Sequence, residues 1–188
     1  VIDPYREQCG TAIRLGGAVA LGTPFIVSGF DGAPESVRAA LGRALAEAGS
    51  AYLGRQALGE APWLQIVGAD DTPEPAASLW IFTQTDRAAA VKSSGRPVGL
   101  LASADTLNDT IEAAVECAAD LILIDAAGAS VDPRAELTHP PAISLLKDTV
   151  DRLLRHRRLG AIDLVFHGGV RTGSDGAKLI ALGASAVA

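Results

Sequence analysis

Short apolar runs alternate with helical stretches along most of the chain, and this alternation limits the folds that it can form. The runs predict eight strands, at Pro24–Gly29, Ser50–Leu53, Trp63–Val67, Leu79–Thr83, Pro97–Ala102, Leu121–Asp125, Asp163–His167 and Ala184–Ala188. Helical spacing and capping signals predict helices at Pro34–Gly49, Asp86–Ser93, 106–118, Pro140–Arg158 and Gly173–Gly183. Because a parallel return needs a crossover, repeated strand–helix units predict a parallel sheet. Eight such strands favour an α/β (β/α)8 TIM barrel, with a doubly wound open sheet as the alternative.

The barrel predicted in this way is compact, since 188 residues fall short of the roughly 250 that are typical. The strand-rich middle has few helices, and the last βα unit looks truncated at Ala188. Ahead of the barrel, Gly16–Gly17 separates two alternating runs within Thr11–Leu21, which predicts a hairpin that plugs the barrel. We therefore expect an N-terminal extension over 1–23 and a barrel domain over 24–188. An incomplete last unit predicts a longer parent chain, a partner subunit or a homo-oligomer.

Charge and cysteine content exclude several function classes. The net charge is −6, with 16 Lys and Arg against 22 Asp and Glu, which disfavours binding of nucleic acid or anionic membrane through bulk charge. No run of about 18 apolar residues predicts a membrane span. The two cysteines, Cys9 and Cys117, form no metal-type cluster and no disulfide framework, which predicts a cytoplasmic protein without a metal site.

The segment Phe166–Gly173 (FHGGVRTG) carries the strongest local signal for a ligand. An apolar strand ends there in two glycines, and a helix begins a few residues later. Glycines let backbone N–H groups approach an anion closely, and barrel enzymes often bind phosphate after their seventh and eighth strands. We therefore expect Gly168, Gly169 and Val170 to hold a phosphate, with a charged hydrogen bond from Arg171. The alternative is a tight strand-to-helix turn that binds no ligand.

Two titratable residues end neighbouring predicted strands. Asp125 ends a strand buried on both faces, and His167 ends the strand that precedes the two glycines. The carboxyl ends of barrel strands carry the catalytic groups, so the two predict an acid/base pair. The alternative is a structural histidine that is hydrogen-bonded near a turn.

The residues Gly168–Ala188 (GGVRTGSDGAKLIALGASAVA) resemble the flavin-binding barrel of the glutamate synthase family, in which a GGIRTG-type turn precedes a helix ending in ALGA. Leu121–Asp125 is similar to the ID-containing strand of that family, and Pro97–Gly99 to the start of its PVGVK strand. Pro24–Gly49 resembles its PIxISAM…SPEAK segment. The resemblance covers most of residues 11–188 in order, and it favours the barrel over the open sheet.

This resemblance implies an FMN-binding oxidoreductase domain. It places the phosphate of FMN on the turn formed by Gly168 to Arg171, and it implies flavin contacts from Ser28, Gly29 and Gln84. No iron–sulfur cluster is expected within the chain, because neither cysteine matches the cluster ligands of the family.

Two departures from the family pattern suggest a divergent, shortened relative. Leu101 stands where the family has a lysine that reaches the electron-rich edge of the flavin, and Ala126–Pro133 replaces its glycine-rich GGTGAAP loop. The alternative function is therefore a redox-inactive barrel that binds a phosphate-bearing ligand or serves as a subunit or scaffold. A third hypothesis is a lyase or isomerase that acts on a phosphorylated metabolite through Asp125 and His167.

Overall fold

A computed structural model describes residues 10–188 of the chain, so Cys9 and the rest of residues 1–9 of the N-terminal extension lie outside the described residues. The described part opens with an antiparallel hairpin made of β1 (Ile13–Leu15) and β2 (Val19–Leu21). Gly16 and Gly17 form its turn with φ values of 54° and 66°, a region that glycine enters without steric cost. The predicted hairpin is confirmed.

Eight parallel strands follow the hairpin and form the barrel. They are β3 (Ile26–Ser28), β4 (Ala51–Gly54), β5 (Trp63–Val67), β6 (Leu79–Phe82), β7 (Val98–Ala102), β8 (Leu121–Asp125), β9 (Asp163–His167) and β10 (Ala186–Val187). Each strand pairs with its neighbours in sequence order. The first and last strands meet through a parallel bridge between Phe25 and Val187, where the Val187 N–H donates to the Pro24 carbonyl at 2.9 Å. The predicted TIM-barrel fold is confirmed, with a nearly closed sheet.

Six helices complete the described residues. They are α1 (Glu35–Glu47), α2 (Thr85–Lys92), α3 (Leu107–Glu116), α4 (Ala135–Thr138), α5 (Ile143–Arg155) and α6 (Gly173–Ala181). Five of them correspond to predicted helices, whereas the one-turn helix α4 lies in a segment with no helical periodicity. The strands β4, β5 and β6 are joined by loops, so the compact middle of the barrel was anticipated correctly. No helix within residues 10–188 is long and apolar enough to cross a membrane.

Alternate residues of the strands point into the barrel and fill it. Leu64, Ile81, Leu121, Leu123 and Val165 belong to this interior cluster, and none of them is more than 1% exposed. Burying a side chain of this size contributes about 1.5–3 kcal/mol, so the filled interior is a main source of stability. The opposite faces of the strands pack against the helices in a second cluster.

The hairpin seals the N-terminal end of the barrel. Leu15, Val19 and Leu21 belong to the same cluster as the inward-facing strand residues. The Gly16 N–H donates to a carboxylate oxygen of Asp163, the first residue of β9, at 2.7 Å. The open end is therefore the opposite one, where the strands end and where the candidate site lies.

We predict that Leu15→Ala lowers the free energy of unfolding by about 2–5 kcal/mol, because Leu15 is fully buried between the hairpin and the barrel interior. Urea unfolding followed by circular dichroism measures the change. Arg14→Ala is the matched control: Arg14 is exposed on the same strand, so we expect a change below about 0.5 kcal/mol. Equal losses in the two variants would contradict the sealing role of the hairpin.

Candidate functional site

Three polar side chains from three strands meet at the mouth of the barrel, the end at which the strands terminate. Ser28 ends β3, Asp125 ends β8 and His167 ends β9. All three follow the inward-facing register of their strands, and Asp125 pairs directly with His167 across the sheet. Asp125 and His167 are almost fully buried, whereas Ser28 is partly exposed.

The three side chains form a continuous hydrogen-bonded chain. His167 Nε2 lies 2.9 Å from Ser28 Oγ, and His167 Nδ1 lies 3.3 Å from Asp125 Oδ1. Asp125 also accepts hydrogen bonds from the hydroxyl and the backbone N–H of Ser130. The arrangement brings together the predicted pair Asp125 and His167, and it adds Ser28, for which the sequence suggested only a flavin contact, and Ser130.

Hydrogen bonding keeps Asp125 ionised inside the protein. Burial on its own raises the pKa of Asp125, but the hydrogen bonds from His167 and Ser130 outweigh burial and hold this pKa below its ordinary value. A buried, ionised carboxylate stabilises the fold only while its hydrogen-bond donors, His167 and Ser130, stay in position. Asp125 therefore couples β9 to the segment that follows β8.

Residues 126–142, which we call the mouth segment, fold across the open end of the barrel. Its Ala127 and Ala129 are buried, and Pro133 lies against Gly29 at the end of β3. The Ala126 N–H donates to the His167 carbonyl at 3.0 Å. The cavity left between the mouth segment and Ser28, Leu53 and Ile66 measures about 20 Å³. A space of this size holds about one water molecule.

The two glycines after β9 form the turn that the sequence predicts to hold a phosphate. Gly168 and Gly169 have φ values of 114° and 71°, which a side chain would strain. The Gly168 N–H donates to the carbonyl of Ala188, whereas the Gly169 N–H donates to Glu136 Oε1 at 2.8 Å. Glu136 belongs to α4 in the mouth segment, so a carboxylate of the chain itself already accepts the hydrogen bond from the Gly169 N–H.

The helix that follows the turn is capped by its own residues. The Thr172 hydroxyl accepts from the Asp175 N–H at 3.2 Å, and the Asp175 carboxylate accepts from the Thr172 N–H at 3.1 Å. The hydrogen bond from Thr172 is the main cause that lowers the pKa of Asp175. This capping box places a second carboxylate near the turn.

A groove of about 110 Å³ lies directly beside the glycine turn. Gly168 and Gly169 form one wall, and Lys178 and Asp175 of α6 contribute the charged groups. The rest of the lining is apolar and comes from Pro141, Ile143, Phe166, Leu179 and Leu182. The groove therefore combines a backbone donor and a cation with apolar surface.

The remaining residues predicted from the sequence differ in whether they border this site. Gly29 borders the small mouth cavity next to Ser28, with a φ of 84°. Val170 is half-buried and packs against the helix-side core, and Arg171 is exposed. Gln84 is the exposed residue that precedes α2 and does not line the mouth cavity or the groove. Leu101 is buried in the interior cluster.

Sequence reasoning missed Ser130, Glu136 and Pro141, all in the mouth segment. Glu136 reaches a donor 33 residues further along the chain, and Pro141 packs against Gly169. The segment has no periodicity that reveals its path, so no local pattern indicated these contacts. Within residues 10–188, no group of three or more His, Cys, Asp and Glu side chains is arranged to hold a metal ion.

Residues 87–188 match the family model described as the conserved region in glutamate synthase, which is more than half of the chain. The chain belongs to the glutamate synthase family. The matched region contains Asp125, His167 and the glycine turn. No curated protein sequence shows significant similarity to the chain.

Solved structures support the fold of this glutamate synthase family member. Mandelate oxidase with 3,3-difluoro-2-hydroxy-3-phenylpropionic acid superposes with a TM-score of 0.68 at 20% identity, over 94% of this chain and 67% of that one. A mandelate oxidase variant with a monooxide FMN adduct gives a TM-score of 0.67 at 21% identity, over the same shares. A variant with (S)-mandelic acid gives 0.69 at 21% identity. At this identity, the similarity establishes the barrel fold.

We predict that the stability contributed by Asp125 is lost in acid. Its pKa is lower in the folded state than in the unfolded chain, where it is about 3.9, so its contribution is present above that value and disappears as the pH falls through the folded-state value. The Asp125→Asn variant should be less stable near neutral pH and should lose less stability on acidification. The free energy of urea unfolding, measured from about pH 6 to about pH 2, tests both points.

The control for this titration is Asp105→Asn, since Asp105 is exposed between β7 and α3. It should follow the wild-type pH dependence. If the free energy of unfolding of Asp125→Asn falls on acidification as steeply as that of the wild type, the buried carboxylate contributes nothing through its ionisation.

Proposed function

We propose that the chain is a barrel domain that binds a phosphate-bearing ligand at the Gly168–Gly169 turn. The observation that carries this proposal is the hydrogen bond from the Gly169 N–H to the Glu136 carboxylate. A backbone donor that holds one anion at 2.8 Å is suited to hold another, because phosphate oxygens accept the same type of hydrogen bond. Phosphate binding then requires that Glu136 leave the turn.

The groove beside the turn offers further contacts to such a ligand. Lys178 supplies a positive charge in the groove, which Asp175 opposes, and Arg171 is exposed on the turn outside the groove lining. Its apolar wall suits a ligand that joins a phosphate to an apolar or aromatic body. The site therefore favours a phosphorylated organic molecule over inorganic phosphate.

Family membership makes FMN the first ligand to test. The glycine turn and the groove fit its phosphate end. The reducible ring does not fit the mouth as described, because the mouth segment leaves only about 20 Å³ there. Leu101, an apolar residue, also stands where the family resemblance places a lysine, so it cannot stabilise negative charge on a reduced flavin. We therefore propose phosphate-directed binding without redox chemistry by this chain alone.

A flavin-dependent oxidoreductase is the second candidate, and membership in the glutamate synthase family favours it. The visible absorption spectrum of the purified protein distinguishes the candidates. Flavin bands that bleach on addition of a physiological reductant would support the oxidoreductase. A protein that binds FMN but does not speed its reduction would support the redox-inactive alternative.

We predict that Glu136→Gln tightens the binding of phosphate ligands. The variant removes the competing charge, and a charged hydrogen bond is worth about 1.5–3 kcal/mol, which corresponds to about 10- to 100-fold in affinity. Calorimetric titration with FMN, riboflavin and inorganic phosphate measures the effect, and riboflavin, which lacks the phosphate, should gain nothing. Glu47→Gln is the control, because Glu47 is exposed on α1. If neither the wild type nor Glu136→Gln binds FMN or phosphate, the proposal is wrong.

We predict that Gly169→Val abolishes phosphate binding and that Arg171→Ala weakens it. A side chain at position 169 would collide with Pro141 and strain a positive φ by about 1–3 kcal/mol. Thermal unfolding must therefore show that Gly169→Val is folded before its titration with FMN is interpreted. The loss in Arg171→Ala should be the milder one, because its side chain is exposed. Equal affinity in the wild type and a folded Gly169→Val variant would mean that the turn binds no ligand.

A further inference from the structure

The chain of Ser28, His167 and Asp125 has no role in the binding of a phosphate at the glycine turn. It joins the ends of three strands, β3, β9 and β8, with 2.9 Å between Ser28 Oγ and His167 Nε2 and 3.3 Å between His167 Nδ1 and Asp125 Oδ1. A hydroxyl, an imidazole and a carboxylate in this order are the parts of an activated nucleophile. The first distance is that of a hydrogen bond formed before any substrate is present.

The partners of the imidazole decide where its proton lies. The ionised carboxylate of Asp125 can only accept, so it selects the tautomer with hydrogen on Nδ1. Nε2 then carries a lone pair toward the Ser28 hydroxyl, which is the state that a general base requires. Ser130 donates to the second carboxylate oxygen and so keeps Asp125 in place.

The three side chains differ in their exposure to solvent, and this difference assigns their roles. The side chains of His167 and Asp125 are 3% and 1% exposed, whereas Ser28 is partly exposed and precedes the exposed Gly29. A substrate can therefore reach only the hydroxyl. The adjoining cavity of about 20 Å³ is lined by Gly29, Gly54 and Ala129 among others, and it has room for about one water-sized group such as the methyl group of an acetyl ester.

We propose that Ser28, His167 and Asp125 form a nucleophilic relay that cleaves small activated carboxylic esters with short acyl groups. His167 Nε2 takes the hydroxyl proton while Ser28 Oγ attacks the ester carbonyl carbon. The ester C–O bond breaks, and the alcohol leaves with the proton from His167. Water, deprotonated by the same nitrogen, then attacks the acyl carbon. The bond between this carbon and Ser28 Oγ breaks, the acid leaves, and the proton on His167 returns to Ser28 Oγ.

The experiment uses the whole 188-residue chain and two probes. 4-Nitrophenyl acetate reports acyl transfer through released nitrophenolate. A fluorophosphonate reports the nucleophile as a covalent adduct, formed with loss of fluoride. Peptide mass spectrometry of the wild-type protein should place this adduct on Ser28. Such labelling of the wild type does not depend on whether a variant folds.

Substitutions then separate the relay from unspecific surface reactivity. His167→Gln should slow acetyl transfer about 100-fold or more, the usual contribution of general base catalysis, and Ser28→Ala, which removes the nucleophile, should slow it at least as much. Ser103→Ala is the matched control and should retain the wild-type rate, since Ser103 also follows a barrel strand, β7, but its hydroxyl contacts Thr106. 4-Nitrophenyl butyrate should react more slowly than the acetate.

Three results would overturn the relay: no adduct on Ser28 in the folded wild type, a Ser28→Ala variant that retains its rate, or a preference for butyrate. None of them involves FMN or phosphate, so a failed relay leaves the phosphate proposal in place. Conversely, a Glu136→Gln variant that binds no phosphate ligand would not contradict the proposed relay.

Discussion

A closed parallel barrel must fill its own interior with side chains, and the rest of this structure depends on that requirement. Each strand contributes only two or three inward positions, so the interior is a stack of Leu, Ile, Val and Ala layers closed from below by the hairpin. Gly99 faces Leu121 and Ile81 so closely that a side chain there would displace one of them. Polar groups have room only at the strand ends, which explains why Ser28, Asp125 and His167 are found together at the mouth.

The buried charge of Asp125 then organises the mouth. A carboxylate removed from water costs several kcal/mol unless hydrogen bonds compensate it. His167 and Ser130 provide that compensation, and Ser130 lies on the mouth segment. The same segment carries Glu136 to the Gly169 donor. Because Ser130 and Glu136 lie on one segment, the hydrogen bonds that compensate the Asp125 charge also link the polar chain inside the barrel to the glycine turn outside it.

The sequence predicted the barrel and most of its elements because strand and helix periodicity is a local property. Asp125, His167 and the glycines were predictable for the same reason: each ends a recognisable strand. The contacts of Ser130, Glu136 and Pro141 were not, because they join a segment without periodicity to residues that the barrel brings close. The pairing of Ser28 with His167 spans 139 residues and follows from barrel closure alone, since β3 and β9 flank β10 only when the sheet closes.

If the turn binds phosphate as proposed, a carboxylate within the chain changes which ligands it can select. Because Glu136 belongs to the same chain, it competes for the Gly169 N–H at every ligand concentration. A free inorganic phosphate makes little more than the contact that Glu136 already makes, so it gains little by replacing it. A phosphorylated molecule with an apolar body also buries surface against Pro141, Phe166 and Leu179 in the adjoining groove. That additional burial would offset the displaced carboxylate, so on the proposal that the turn binds phosphate, competition by Glu136 would make it selective for larger phosphate esters.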